Sequence, residues 1–229
     1  MNWLFWVVVV FIGYHVIDGL RRGFIRKAVS ALSLIITLVL VTWLTPKVNT
    51  FLQDYTSVHE KIQETCSELL MDSEYNTEVK TDQVQMIENM NLPDNLKEML
   101  LENNNAEAYS FLNVSGFSEY VGAYLANVIV NAVAYLLTFL IVWTVIRVIL
   151  AACDVVTMLP VLHGVNKLAG GVLGIAEAVV FIWIAFLIVA IFCNGEVGQM
   201  IFGLISENVF LSLLYSQNLI MKIVFGLIF

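Results

Sequence analysis

Apolar residues run almost without interruption from Trp3 to Ile17, from Ala28 to Leu44, from Val121 to Ile146 and from Leu168 to Phe192, while charged residues gather in the gaps. Each run approaches or exceeds the ~17–25 residues that carry an α-helix across bilayer hydrocarbon. Four transmembrane helices are therefore expected. Between the first two sits a basic knot, Asp18-Gly19-Leu20-Arg21-Arg22-Gly23-Phe24-Ile25-Arg26-Lys27. Lys and Arg beside membrane segments stay on the cytoplasmic side, so the first two spans form a hairpin whose turn faces the cytoplasm and whose N-terminus faces outward. No Lys or Arg precedes Trp3 and no small-residue cleavage site follows the run, so no cleaved leader is expected. The second span is expected to stop at Thr45-Pro46-Lys47, where proline ends a helix.

The pattern changes between Pro46 and Tyr120. Fourteen acids stand there against Lys47, Lys61, Lys80 and Lys97, so the chain's net charge of −8 lives entirely in this segment. Apolar residues keep helical spacing in Val58-Ile62-Thr65-Leu69 and Leu92-Leu96-Met99-Leu100, and Pro93-Asp94 follows a break that opens a new helix. A small extracytoplasmic domain of two to four amphipathic helices is expected. In the third span, Asn127, Asn131, Tyr135 and Thr138 fall four, four and three apart and make a polar stripe that turns toward neighbouring helices. Arg147 marks its cytoplasmic end, and Ile149 to Leu162 either extends the helix or lies at the interface. The fourth span, Lys167 to Phe192, opens with Gly170 and Gly174, whose spacing of four lets two helix backbones approach. Both hairpins then share one orientation. In the tail, Ser212, Ser216, Lys222 and Gly226 share one side, which suits an amphipathic helix in the outer interface; a fifth span is the alternative.

The resulting fold class is an all-α, multi-pass membrane protein with four transmembrane helices in two hairpins. Residues 1–46 form the first hairpin, 47–120 the acidic helical domain, 121–193 the second hairpin and 194–229 the interfacial tail. Composition agrees, with 59% hydrophobic and only 13% charged residues, against roughly 25% charged in ordinary globular domains. Cys66, Cys153 and Cys193 show neither metal-ligand nor disulfide spacing, and no cofactor or metal is expected.

Arg21, Arg22, Arg26 and Lys27 are explained by topology and by contact with anionic headgroups, and Asp18 by an interfacial ion pair. Gly19 and Gly23 fit a chain reversal or helix crossing. Glu177 is the sharpest candidate, because an unpaired carboxylate ~15 Å deep in a span is costly. It shares a face with Gly170 and Gly174, and His15, Asn131 and Tyr135 are its candidate partners. Either it makes a buried structural hydrogen bond or it lines a path for protons, ions or substrate. His15 alone reads as a core histidine. HExxH, GxGD, GxSxG, Walker A and GxGxxG patterns do not occur, so an enzyme is not expected. The acidic domain argues against nucleic acid.

Two stretches carry a resemblance. Gly19-Leu20-Arg21-Arg22-Gly23-Phe24-Ile25-Arg26 after an N-terminal helix, and the later Asn166-Lys167-Leu168-Ala169-Gly170-Gly171-Val172-Leu173-Gly174, resemble the colicin V production protein family of small bacterial inner-membrane proteins. The resemblance spans the four membrane helices. The outward segment is longer than the family's compact loop, and Glu177 stands where a small or basic residue follows the glycines. What the resemblance implies is a multi-pass protein of the bacterial cell membrane linked to toxin production and envelope maintenance, with no defined molecular activity. Two function classes follow. One is an accessory scaffold that recruits envelope or export proteins. The other is a small channel or transporter that uses Glu177 and is homo-oligomeric, because four short helices hardly enclose a polar path alone.

The cation distribution predicts that single cysteines at Arg21 and Lys167, in a background without native cysteines, resist impermeant reagents in intact cells while one at Glu88 reacts. Labelling of position 21 from outside reverses the orientation.

Overall fold

Residues without side chains decide where these helices meet. The computed structural model describes residues 2–55, 61, 80–90, 92–152, 165–192 and 195–226. Its elements are α1 (Trp3–Arg22), α2 (Phe24–Tyr55), α3 (Lys80–Asn89), α4 (Asp94–Glu102), α5 (Ala106–Leu112), α6 (Phe117–Ala152), α7 (Val165–Ile191), α8 (Glu196–Ser206), α9 (Val209–Ser216) and α10 (Leu219–Gly226). Among the described residues there is no strand. Cys66, Cys153, Cys193 and the Val58-to-Leu69 pattern lie outside them.

Gly23 alone separates α1 from α2. Its φ of 76° lies in the left-handed region that glycine enters without a Cβ penalty, and its N–H donates to the Gly19 carbonyl at 2.9 Å. From this turn α1 folds onto α7, and α2 packs between α7 and α6. The α1–α7 pair is antiparallel, with Gly19 against Gly170 and Gly174 against the His15 backbone. A Cβ on Gly170 would stand 2.8 Å from the Gly23 carbonyl carbon, and one on Gly174 would stand 2.8 Å from that of His15. The expected close approach is therefore reciprocal, with Gly170 and Gly174 on α7 against the backbone of His15, Gly19 and the Gly23 turn.

Two boundaries differ from expectation. α2 does not stop at Pro46 but continues through it to Tyr55. Proline removes one backbone hydrogen bond, which packing and back-bonding hydroxyls tolerate inside a membrane bundle; here Val41 and Thr45 are fully buried and Thr45 Oγ1 donates to the Val41 carbonyl at 2.7 Å. Beyond it, Asn49 Nδ2 donates to Asn131 Oδ1 and ties the extension to α6. α6 in turn starts earlier than Val121, and past Arg147 it extends to Ala152, one of the two courses expected there; its 36 residues reach ~54 Å, well beyond ~30 Å of hydrocarbon. Residues 153–164 lie outside the described set.

The protruding start of α6 is covered by the acidic segment. Phe117, Tyr120 and Tyr124 join one buried cluster with Ile87, Leu96 and Leu100, and the Tyr120 hydroxyl donates to the Leu100 carbonyl at 2.9 Å. Tyr109 stacks on Tyr120 with ring centroids 4.9 Å apart, and burial raises its hydroxyl pKa. The expected opening of a helix after Pro93 is α4. These helices thus share their core with α6.

Five stretches are long and apolar enough to cross a membrane, the fifth being Val209–Gly226. That fifth stretch is divided. Asn218, 1% exposed, accepts from Met221 N–H at 3.0 Å to begin α10 and donates to the Trp183 carbonyl at 2.9 Å. α9 and α10 have eight residues each, ~12 Å of helix apiece. The tail therefore holds two short helices where one was expected, preceded by α8, with Ser212, Ser216, Lys222 and Gly226 all exposed.

The glycine contact predicts that Gly174→Val costs roughly 1–3 kcal/mol in unfolding of the detergent-solubilised protein, because the obstructing atoms are backbone. Gly13, where an added Cβ would meet nothing within 4 Å, is the control. Gly13→Ala should be neutral or gain up to ~1 kcal/mol.

Candidate functional site

Close backbone contact brings α1, α2 and α7 near enough for charged side chains to meet between them. Lys27, in the first turn of α2, is 2% exposed, and Glu177, on α7, is 4% exposed. Lys27 Nζ pairs with Glu177 Oε2 and lies 3.1 Å from Asp18 Oδ2. Ser30, one turn further along α2, donates to Glu177 Oε1 at 2.6 Å. Asp18 Oδ1 accepts from Arg22 Nε at 2.7 Å, an i, i+4 pair on α1. A single ammonium therefore bridges carboxylates from two helices.

His15 stands on the other flank of Glu177. Its Nδ1 lies 3.4 Å from Glu177 Oε2, and its ring packs 4.7 Å from Phe11 and 5.8 Å from Phe181. From α6, Arg147 Nη2 reaches the Ser30 hydroxyl at 3.4 Å, while its guanidinium carbon lies 5.3 Å from the Trp143 ring. These groups surround a cavity of about 320 Å³ lined by all four long helices. Of the candidate partners of Glu177, His15 is beside it. Asn131 and Tyr135 are not in this lining: Asn131 pairs with Asn49, and Tyr135 is buried in the apolar cluster. The remainder of the polar stripe satisfies itself, since Asn127 and Thr138 donate to the carbonyls of Ala123 and Ala134 four residues back.

The expected lipid-facing cations divide. Arg21 and Arg22 are exposed and Arg26 is half-buried. Lys27 leaves that set, because a side chain closed between two carboxylates has no surface to offer a headgroup. Asp18 is more than a surface partner, since it takes one side of Lys27. Gly19, Gly23, Gly170 and Gly174 form the crossing described above.

Ser30 and Trp143 were not singled out from sequence. A signal existed for Ser30, because Ser30, Ser33 and Thr37 recur three and four residues apart and so mark one face of α2. Ser33 and Thr37 back-bond within their own helix, which leaves Ser30 as the hydroxyl that reaches across. Among the described residues no three His, Cys, Asp or Glu side chains converge as metal ligands.

No curated protein and no solved structure matches the chain. A family model does. The matched stretch begins within α5, takes in α6, α7 and α8, and ends just after α9, a little under half of the chain. It contains Asn166 to Gly174 and Glu177 but not the Gly19-to-Arg26 turn, so it is narrower than the four-span resemblance. Residues 108–217 match the model of the colicin V production protein family, and the apolar helices within and around that stretch are those of an integral membrane protein.

Proposed function

We propose that this is an accessory scaffold of the cell membrane that serves toxin production and envelope maintenance, with its basic end in the cytoplasm and its acidic helices outside. The observation that carries the reading is how Glu177 is used. Its two oxygens are taken by Lys27 and Ser30, with His15 alongside, so the carboxylate is occupied by the fold. Beyond it toward the acidic end, α7 contributes Ala178, Ile182, Phe186 and Leu187 to the buried interior, and α2 contributes Val41. The polar side chains buried along the same stretch are occupied too: Ser33, Thr37, Thr45 and Thr138 donate to carbonyls of their own helices, and Asn131 pairs with Asn49. The ion pair is then a lock between the two hairpins. What remains for interaction is the surface of the acidic helices and the exposed cations of the Gly23 turn, which suit recruitment of envelope or export components.

A second reading has one observation in its favour. The cavity leaves the charge cluster accessible from one side, as a small oligomeric transporter with a titrating Glu177 requires. The two readings separate on paired variants. Breaking a buried ion pair from one side costs roughly 3–5 kcal/mol, whereas replacing both partners by apolar groups is close to neutral. For a lock, Lys27→Met lowers thermal stability and membrane abundance, and Lys27→Met combined with Glu177→Leu restores both together with complementation of a deletion strain. For a titrating carboxylate, the double variant accumulates normally but does not complement, and Glu177→Gln behaves likewise. That second result overturns the lock.

A further inference from the structure

The cavity beside Glu177 has a charge balance that the ion pair does not explain. Asp18 and Glu177 are its two acids, and Lys27 and Arg22 answer them one to one. Arg147 is the surplus cation of the lining. Among the described residues its Nε is buried without a hydrogen-bond partner, and its Nη2 has the long contact to Ser30. A guanidinium carries five donors in a rigid fork suited to phosphate, and buried donors left unpaired are costly. A cation has no place here, because Lys27 and Arg147 already face the space. The group that these donors suit is an anion.

The walls say what kind. On α1 the lining carries Phe11 and Tyr14, which is 64% exposed, and on α6 it carries Trp143. Both are membrane-length helices, and the lining runs from these aromatic residues to Asp18 and the exposed Arg22 at the basic end, so the cavity joins the apolar flank of the bundle to its charged end. Arg147 is level with Ser30, ~9 Å along α2 from Phe24 at the basic end, within reach of a side chain that snorkels toward the headgroup region. At about 320 Å³ the cavity falls in the usual range for ligand sites, ~300–1,000 Å³.

We propose that this cavity is a binding site for one anionic phospholipid of the leaflet at the basic end, with its phosphate on the Arg147 guanidinium and its acyl chain along Phe11, Trp143 and Phe181. Such a site differs from diffuse attraction to exposed cations, since it uses a residue on α6 and a shaped apolar wall. It does not depend on which role Glu177 plays.

The test uses the full chain in mild detergent, with retention of phosphatidylglycerol or phosphatidylcholine read by native mass spectrometry. Phosphatidylglycerol should be retained in preference, and Arg147→Gln should weaken that retention about tenfold, the worth of one charge-assisted contact. Lys167→Gln, an exposed cation outside the lining, should leave it unchanged. If Arg147→Gln does not accumulate, Arg147→Lys keeps the charge and loses the fork, and weaker retention is again expected. Retention unaffected by the Arg147 variant that accumulates, or equal retention of both lipids, overturns the site. An equal loss with Lys167→Gln assigns the effect to diffuse charge and also overturns it. Displacement of the lipid by millimolar-range inorganic phosphate identifies a soluble phosphate as the occupant and overturns the lipid assignment.

Discussion

An ammonium group placed between helices of a membrane protein is tolerated only where carboxylates meet it, because the cost of leaving a charge unpaired in low dielectric exceeds what packing returns. Lys27 is held in this way, with Asp18 on α1 and Glu177 on α7 supplying the two sides. This constraint fixes more than a contact. It sets the rotation of α2 about its axis, since Ser30 must then face Glu177, and it sets the depth at which α1 and α7 cross. Arg22 completes the arrangement by satisfying the Asp18 oxygen that Lys27 does not use. Remove the constraint and the helices keep their apolar stripes but lose the reason for one register over another.

Register alone does not bring the charges within reach; backbone proximity does. Gly19 and Gly170 meet where any larger residue would hold α1 and α7 apart, and small residues at such crossings are how membrane helices gain packing when lipid is as apolar as they are. Gly23 adds a distinct contribution. Its positive φ reverses the chain in one residue, which places Lys27 four residues after the turn and directly opposite Asp18. Turn, crossing and ion pair are therefore one device made from a short stretch of sequence and its complement on α7.

Much of this was legible in the residues, for identifiable reasons. Uninterrupted apolar runs located α1, α2, α6 and α7, because hydrocarbon thickness fixes helix length. Glycine spacing forecast the crossing, and the depth of Glu177 forecast that it needed a partner. The identity of that partner was not legible. Lys27 has the sequence context of a topology-setting cation, and nothing local distinguishes it from Arg26; only the rotation of α2 turns one inward and leaves the other half-buried. The Pro46 stop failed because proline's missing hydrogen bond is a local cost, whereas the Val41, Thr45 and Asn49 contacts that hold α2 onto α6 are tertiary. Asn218 was read as one more polar residue of a tail. Its bond to the Trp183 carbonyl is what divides that tail into α9 and α10.

The two ends of the bundle are organised by opposite means. At the basic end the helices are joined by discrete charges whose orientation is fixed, and Lys27, Arg147 and Ser30 line one cavity. At the acidic end α3, α4 and α5 close over α6 through a broad apolar cluster with Tyr109, Tyr120 and Tyr124 at its centre. Such a cluster transmits force as packing and has no single switch. Because α6 runs unbroken through both regions, it carries the tyrosines of the apolar cluster at one end and Arg147 at the other. One continuous helix thus links the packed acidic end of the fold to the charged cavity at its basic end.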